Sequence, residues 1–272
     1  MPEFKEQEIV IWLKLARNSG LSDKHGLSHP TSQTLSALGL GGMAKALEEQ
    51  RAMQGIEELS FEERLALLID REQLHRMNRR LATRLKKAKL RHAACFEDID
   101  LLSPRGLDKT LVMSLGSCSW VGKGHNLLIT GPTGVGKSFL ACALAHKACL
   151  EGFDALYMRL PRLMEDLLLA RADGRYGKLM CSFAKIPLLV LDDWGLAPMT
   201  PATCRELLEL LEDRHGRHST IVTSQLPVAA WHGYLADATV ADAILDRLVH
   251  NAYQLNLKGE SMRKMKSIID HN

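Results

Sequence analysis

Eight consecutive residues carry the strongest chemical signal in this 272-residue chain: Gly131-Pro132-Thr133-Gly134-Val135-Gly136-Lys137-Ser138. Gly-x-x-x-x-Gly-Lys-Ser is the spacing of a loop that wraps phosphates. Its glycines let the backbone curl until successive N–H groups face phosphate oxygens. The Lys137 ammonium reaches the β- and γ-phosphates of a nucleoside triphosphate, and the Ser138 hydroxyl is a ligand for Mg2+. A second group follows about 55 residues later, a Walker B pattern in which the apolar run Leu188-Leu-Val-Leu ends in Asp192-Asp193. Asp192 stands where an acid holds the water shell of Mg2+, and Asp193 where a carboxylate orients or activates the attacking water. Further polar groups, Ser224 and Gln225, end the run Thr220-Ile-Val-Thr-Ser-Gln225; either would position water beside the γ-phosphate.

These residues need a sheet edge to hold them. Leu127–Thr130, Ala155–Leu160, Leu188–Asp192 and Thr220–Ser224 read as strands. They lack polar alternation, as strands covered on both faces do. Helices are expected at Lys137–Glu151, Arg162–Ala172 and Thr203–Gly216. The alternation implies an α/β fold, a parallel sheet sandwiched by helices. Upstream the pattern is helical throughout. Met43–Gln54 is one candidate, and Ser60-Phe-Glu-Glu63 reads as a capping box opening a helix to about His92. Leu74, Met77, Leu81, Leu85 and Ala88 form its apolar stripe. Phe96–Asp100 and Pro104-Arg105-Gly106 read as a linker. The division expected is a poorly ordered extension over residues 1–34, with a short helix at Glu6–Arg17, a small all-helical domain over 35–95 and an ATPase domain over 96–272.

Composition sets outer limits. With 46% hydrophobic and 25% charged residues, the chain is an ordinary globular one. It has no apolar run of about 18 residues and no signal-peptide pattern, so no membrane span and a cytoplasmic location are expected. The six cysteines form no Cys-x-x-Cys pair and read as small buried hydrophobes. A net charge of +3 places any nucleic-acid argument on local clustering. Such a cluster exists between residues 71 and 91. Arg71, Arg76, Arg79, Arg80, Arg84, Lys86, Lys87, Lys89 and Arg91 face one acid, Glu72. Six of these, Arg76, Arg79, Arg80, Arg84, Lys86 and Lys87, are the candidate DNA-binding residues. With no base-reading motif nearby, sequence-independent binding to the backbone of duplex DNA is expected. Arg171, Arg175 and Lys178 are secondary candidates.

The blocks Gly131–Ser138, Leu188–Gly195, Thr223-Ser-Gln-Leu-Pro227, Asp242–Ala252 and Gly259-Glu-Ser-Met-Arg263 resemble the IstB family, as do Gly41-Gly-Met43 and Ser60–Arg64. These ATPase helpers of insertion-sequence transposition stand close to the DnaC-type helicase loaders within the AAA+ superfamily. The resemblance covers about residues 35–270. It implies ATP and Mg2+ as ligands, and an oligomer on double-stranded DNA that acts with a transposase. It further implies that Arg247 is an arginine finger completing a neighbouring subunit's ATP site, and that Arg263 stands at the sensor-2 position. Two departures stand out: Asp193 where many AAA+ proteins carry Glu, and Gln225 where many carry Asn. A DnaC-like helicase loader and a small-molecule P-loop kinase are the alternative readings.

Overall fold

The computed structural model describes residues 29–262. The expected helix at Glu6–Arg17 lies outside them, as do most of the 1–34 extension and Arg263. The end of that extension is ordered. Pro30–Ala37 forms a helix (α1) with Pro30 in its first turn, where the missing N–H costs nothing, and with His29 Nδ1 accepting from the Thr31 N–H at 3.2 Å.

The described residues divide into two compact units, at Asn78 and Arg79. The first contains α1, α2 (Gly41–Ala52) and the first part of a long helix α3 (Phe61–Ala88). The capping box at the start of α3 is formed. Ser60 N–H donates to Glu63 Oε2 at 2.8 Å, and Glu63 N–H donates to Ser60 Oγ at 3.3 Å. One buried acid joins the two helices. Glu72 accepts from the free N–H groups of Gly42 (2.7 Å) and Met43 (3.1 Å) at the start of α2, and from Arg76 Nε (2.7 Å). This explains the Gly41-Gly-Met43 block. A Cβ on Gly42 would lie 2.8 Å from both Arg71 O and Glu72 Cα. The Arg76 guanidinium holds the Glu72 carboxyl below its ordinary value of 4.5.

Helix α3 ends at Ala88, short of the expected His92, where Lys89 turns into the left-handed region at φ 50°. The units part inside this helix rather than at residues 95 and 96 because Leu81, Leu85, Ala88 and Ala94 belong to the apolar core of the second unit. The expected linker is also part of that unit. Phe96 packs against the core, and Arg105 is buried, donating to Asp100 O (2.8 Å) and Val135 O (3.1 Å).

The second unit is the parallel sheet the apolar runs predict. Its strands are β1 (Asn126–Thr130), β2 (Ala155–Arg159), β3 (Leu188–Trp194), β4 (Ser219–Ser224) and β5 (Ala252–Asn256), in spatial order β2-β3-β4-β1-β5. β5 was not anticipated. It is an edge strand with a single buried residue, Leu255, so it carries no apolar run. Leu188 and Val190 face one layer and Leu189 and Leu191 the other, which is why β3 shows no alternation. The first layer holds α6 (Lys137–Leu150), after the short helices α4 (Lys109–Leu115) and α5 (Ser119–Gly122). The second holds α7 (Leu160–Ala172), α8 (Tyr176–Ala184), α9 (Pro201–Arg214), the short α10 (Trp231–Tyr234) and α11 (Ala238–Val249). Four of the six cysteines are buried as expected; Cys181 is exposed and Cys95 half-buried. No helix among the described residues is long and apolar enough to cross a membrane.

Two outcomes are expected for the helical unit. Gly42→Ala overpacks the α2–α3 contact and destabilises it by about 1–3 kcal/mol, read as faster amide hydrogen exchange across residues 41–52. Because the folded pKa of Glu72 is lowered, its contribution is complete above 4.5 and is lost as pH falls through the lower folded value. Exchange at Gly42 and Met43 accelerates only on that acid limb, and Glu72→Gln removes the pH dependence.

Candidate nucleotide-binding site

Parallel α/β sheets bind ligands at the carboxyl ends of their strands, and the second unit has a cleft of about 710 Å3 there. Thr133, Gly134, Gly136, Lys137 and Ser138 line it, with Asp192, Asp193 and Gln225 opposite. Lys137 opens α6, so the loop sits at the positive end of that helix. Val135 points away into the core, fully buried. Gly131 closes against the segment after β5. Its φ is 144°, and a Cβ there would lie 2.3 Å from Leu257 O. Gly134 and Gly136 also hold positive φ. Leu257 N–H donates to Thr130 O (2.8 Å) and Met262 N–H to Gly134 O (3.0 Å), so the chain after β5 lies along the loop. Lys137 Nζ donates to Gly131 O (2.7 Å) and Pro132 O (2.8 Å). Burial pushes its ammonium down from the ordinary lysine value, and Asp192 and Asp193 oppose that shift.

Asp192 is the focus of the site. It is buried, and hydroxyls from three other elements converge on it. Ser138 Oγ of α6 donates to Oδ1 at 2.9 Å, Thr223 of β4 donates to the same oxygen, and Tyr157 of β2 donates to Oδ2. Arg91, three residues beyond α3, places Nη1 3.7 Å from Oδ2. Burial and the hydrogen bond to Asp192 push the Tyr157 phenol up. Asp193 sits where β3 departs from its register with β4, in the left-handed region at φ 64°. Its carboxylate accepts from Arg159 Nε at 2.5 Å. Tyr157, Thr223, Arg91 and Arg159 were not singled out for this site in sequence. Tyr157 and Thr223 look like ordinary strand residues, and Arg91 counted as part of the basic helix.

The other predicted residues separate. Ser224 is committed to the fold: its buried hydroxyl donates to Trp194 O (2.9 Å) and accepts from Leu226 N–H (3.0 Å). Gln225 is exposed on the cleft. Arg247 lies on α11, away from this cleft, held by Glu212 (2.8 Å) and by Asp246. Among the basic residues, Arg76 pairs with Glu72 (2.7 Å) and Arg84 with Asp154 (3.4 Å). Arg79, Arg80, Lys86 and Lys87 are exposed and form no ion pair among the described residues. Arg171 and Arg175 are tied to Glu206 and Asp173; Lys178 is exposed.

The donors present suit Mg2+. A hydroxyl and a carboxylate oxygen 2.9 Å apart, Ser138 Oγ and Asp192 Oδ1, are hard ligands of the kind this ion uses together with waters and phosphates. No cluster of three His, Cys, Asp or Glu side chains suited to a metal occurs among the described residues. The glycine loop, whose turns leave no room for side chains, suits phosphate.

A family model described as IstB-like ATP binding protein matches residues 33–269. An insertion-sequence ATP-binding protein of Sinorhizobium fredii, y4pL, is 54% identical over 238 residues, covering 88% of this chain and 97% of that one. The IS21 ATP-binding protein of Pseudomonas aeruginosa is 33% identical over 235 residues, covering 86% and 89%. Among solved structures, DnaI gives a TM-score of 0.53 at 22% identity over 61% of this chain and 91% of that one. AMPPCP-bound DnaA from Aquifex aeolicus gives 0.52 at 17% identity over 67% and 56%. These likenesses place the second unit in the AAA+ P-loop fold.

Thr223→Val removes a donor from a buried carboxylate and is expected to destabilise the fold by about 1–3 kcal/mol. A shift of the urea midpoint checks it.

Proposed function

Since this chain belongs to the IstB-like ATP-binding protein family, we propose that it is an ATP-hydrolysing helper of insertion-sequence transposition, one that assembles on duplex DNA and engages a transposase. The observation that carries this reading is the pairing of a phosphate cleft with four unpaired cations on the helix just upstream of it in sequence. Arg79 and Lys86, and likewise Arg80 and Lys87, are seven residues apart on α3, two rows on one side of the helix. Such rows neutralise successive phosphates and bind by counterion release. Arg76 and Arg84, already paired, contribute less. The N-terminal part, residues 35–95, is the proposed DNA- and partner-binding region.

In the cleft, the loop N–H groups and Lys137 bind the β- and γ-phosphates, and Ser138 and Asp192 hold Mg2+. Mg2+ held by these two side chains would supply positive charge that offsets the negative charge developing on the phosphate oxygens. Asp193 orients water and accepts its proton while the γ-phosphoryl group passes from ADP to the water oxygen. The Asp193 carboxylate is held by Arg159, so it turns to water after releasing that guanidinium. Gln225, the residue after β4, holds that water. Arg247, absent from its own cleft, acts on the cleft of a neighbouring copy once freed from Glu212 and Asp246. Arg263 acts at the γ-phosphate.

Two experiments test this reading. With all four of Arg79, Arg80, Lys86 and Lys87 changed to Ala, the slope of log K against log salt for duplex DNA should shrink by about 3 to 4. An unchanged slope moves DNA contact elsewhere. Lys137→Ala should abolish assembly on DNA with an ATP analogue, read by sedimentation. Nucleotide-dependent assembly by that variant counts against the phosphate site.

A further inference from the structure

Arg91 belongs to none of the motifs above, yet it lines the cleft, and its side chain is 43% exposed. Its backbone leads out of the left-handed turn at Lys89. Its guanidinium carries five N–H donors; Nη1 stands 3.7 Å from Asp192 Oδ2, the oxygen to which the Tyr157 hydroxyl also donates. Asp192 does not need Arg91 for hydrogen bonding, since Ser138, Thr223 and Tyr157 already donate to its two oxygens.

The electrostatics change when a divalent ion takes the corner between Ser138 and Asp192, the reading on which this inference rests. The carboxylate that faces Arg91 is then claimed by the metal. Two cations are left side by side, an arrangement that costs energy unless an anion lies between them. The one anion that enters together with the metal is the polyphosphate. Arg91 lines the same cleft as Ser138 and Phe139 of the first turn of α6, its guanidinium 3.7 Å from Asp192, and the ring of the next residue, His92, lies 6.4 Å from Phe139.

We infer that Arg91 is a nucleotide-binding residue, a second cation beside Lys137 that donates to a phosphate oxygen of the bound Mg·nucleotide. Its recruitment depends on the metal. Without Mg2+ the guanidinium faces Asp192; with Mg2+ it faces phosphate. Its position three residues beyond α3 also makes it the point where the basic helix reaches the ATP site along the chain.

Equilibrium titration of the full-length protein with ATP and ADP, each with Mg2+ and with a chelator, tests this. Arg91→Ala is expected to weaken Mg·ATP and Mg·ADP binding about tenfold or more, as loss of a charge-assisted hydrogen bond does. The loss should be smaller without Mg2+, and Arg91→Lys should recover part of it. Thermal melting confirms that both variants are folded. Unchanged affinity in Arg91→Ala overturns the inference. So does an equal loss in Arg91→Lys and Arg91→Ala, which would make Arg91 a positioning residue for Tyr157 and Asp192. Should the wild-type protein bind no Mg·ATP, the nucleotide-site reading fails and this inference falls with it. Wild-type binding with an unaffected Arg91→Ala removes this inference alone.

Discussion

The carboxylate of Asp192 ties the second unit together at its nucleotide cleft. A buried charge is expensive unless its oxygens are hydrogen-bonded, and this one is met by Ser138, Thr223 and Tyr157. Those donors come from α6, β4 and β2, and the acid itself from β3. One residue therefore fixes the first turn of the phosphate-binding helix against three neighbouring strands. The parallel register of β2, β3 and β4 brings these side chains to one edge. The two apolar layers hold that edge rigid from both sides.

Next to this fixed point stands a residue under different constraint. Asp193 adopts left-handed φ where β3 leaves its register, and it is partly exposed. Its ion pair with Arg159 is made between groups that water reaches, so it is weak and reversible. The site thus combines an acid that cannot move with one that can. That contrast suits a cleft in which one carboxylate anchors a metal and the next handles water.

Much of the chemistry was legible because it is written in contiguous residues. Gly131–Ser138 and Leu188–Asp193 are local patterns with one dominant physical meaning, and the uninterrupted apolar runs implied a sheet covered on both faces. The capping box at Ser60 and Glu63 was legible for the same reason. What escaped was pairwise and long-range. Tyr157 and Thr223 are 35 and 31 residues from Asp192 and have the composition of any strand. Glu72 reads as one acid in a basic helix until Gly42 and Met43 are seen to donate to it. β5 escaped because an edge strand needs little apolar surface. Charge counting misled in a specific way. It grouped nine cations by position, whereas the ion pairs of Arg76 and Arg84 and the turn at Lys89, which sends Arg91 into the cleft, divide them into three kinds.

The central claim is that Asp192 organises a metal-dependent nucleotide site. Calorimetric titration of Asp192→Asn with ATP, with and without Mg2+, addresses it most directly. Asparagine keeps the shape and can still accept from Ser138 and Thr223, but it removes the charge that holds the ion. The account predicts that the variant still binds ATP through the glycine loop and Lys137, and that Mg2+ no longer strengthens the binding as it does for the wild type. An Asp192→Asn protein whose ATP affinity rises with Mg2+ as much as the wild type's would contradict it.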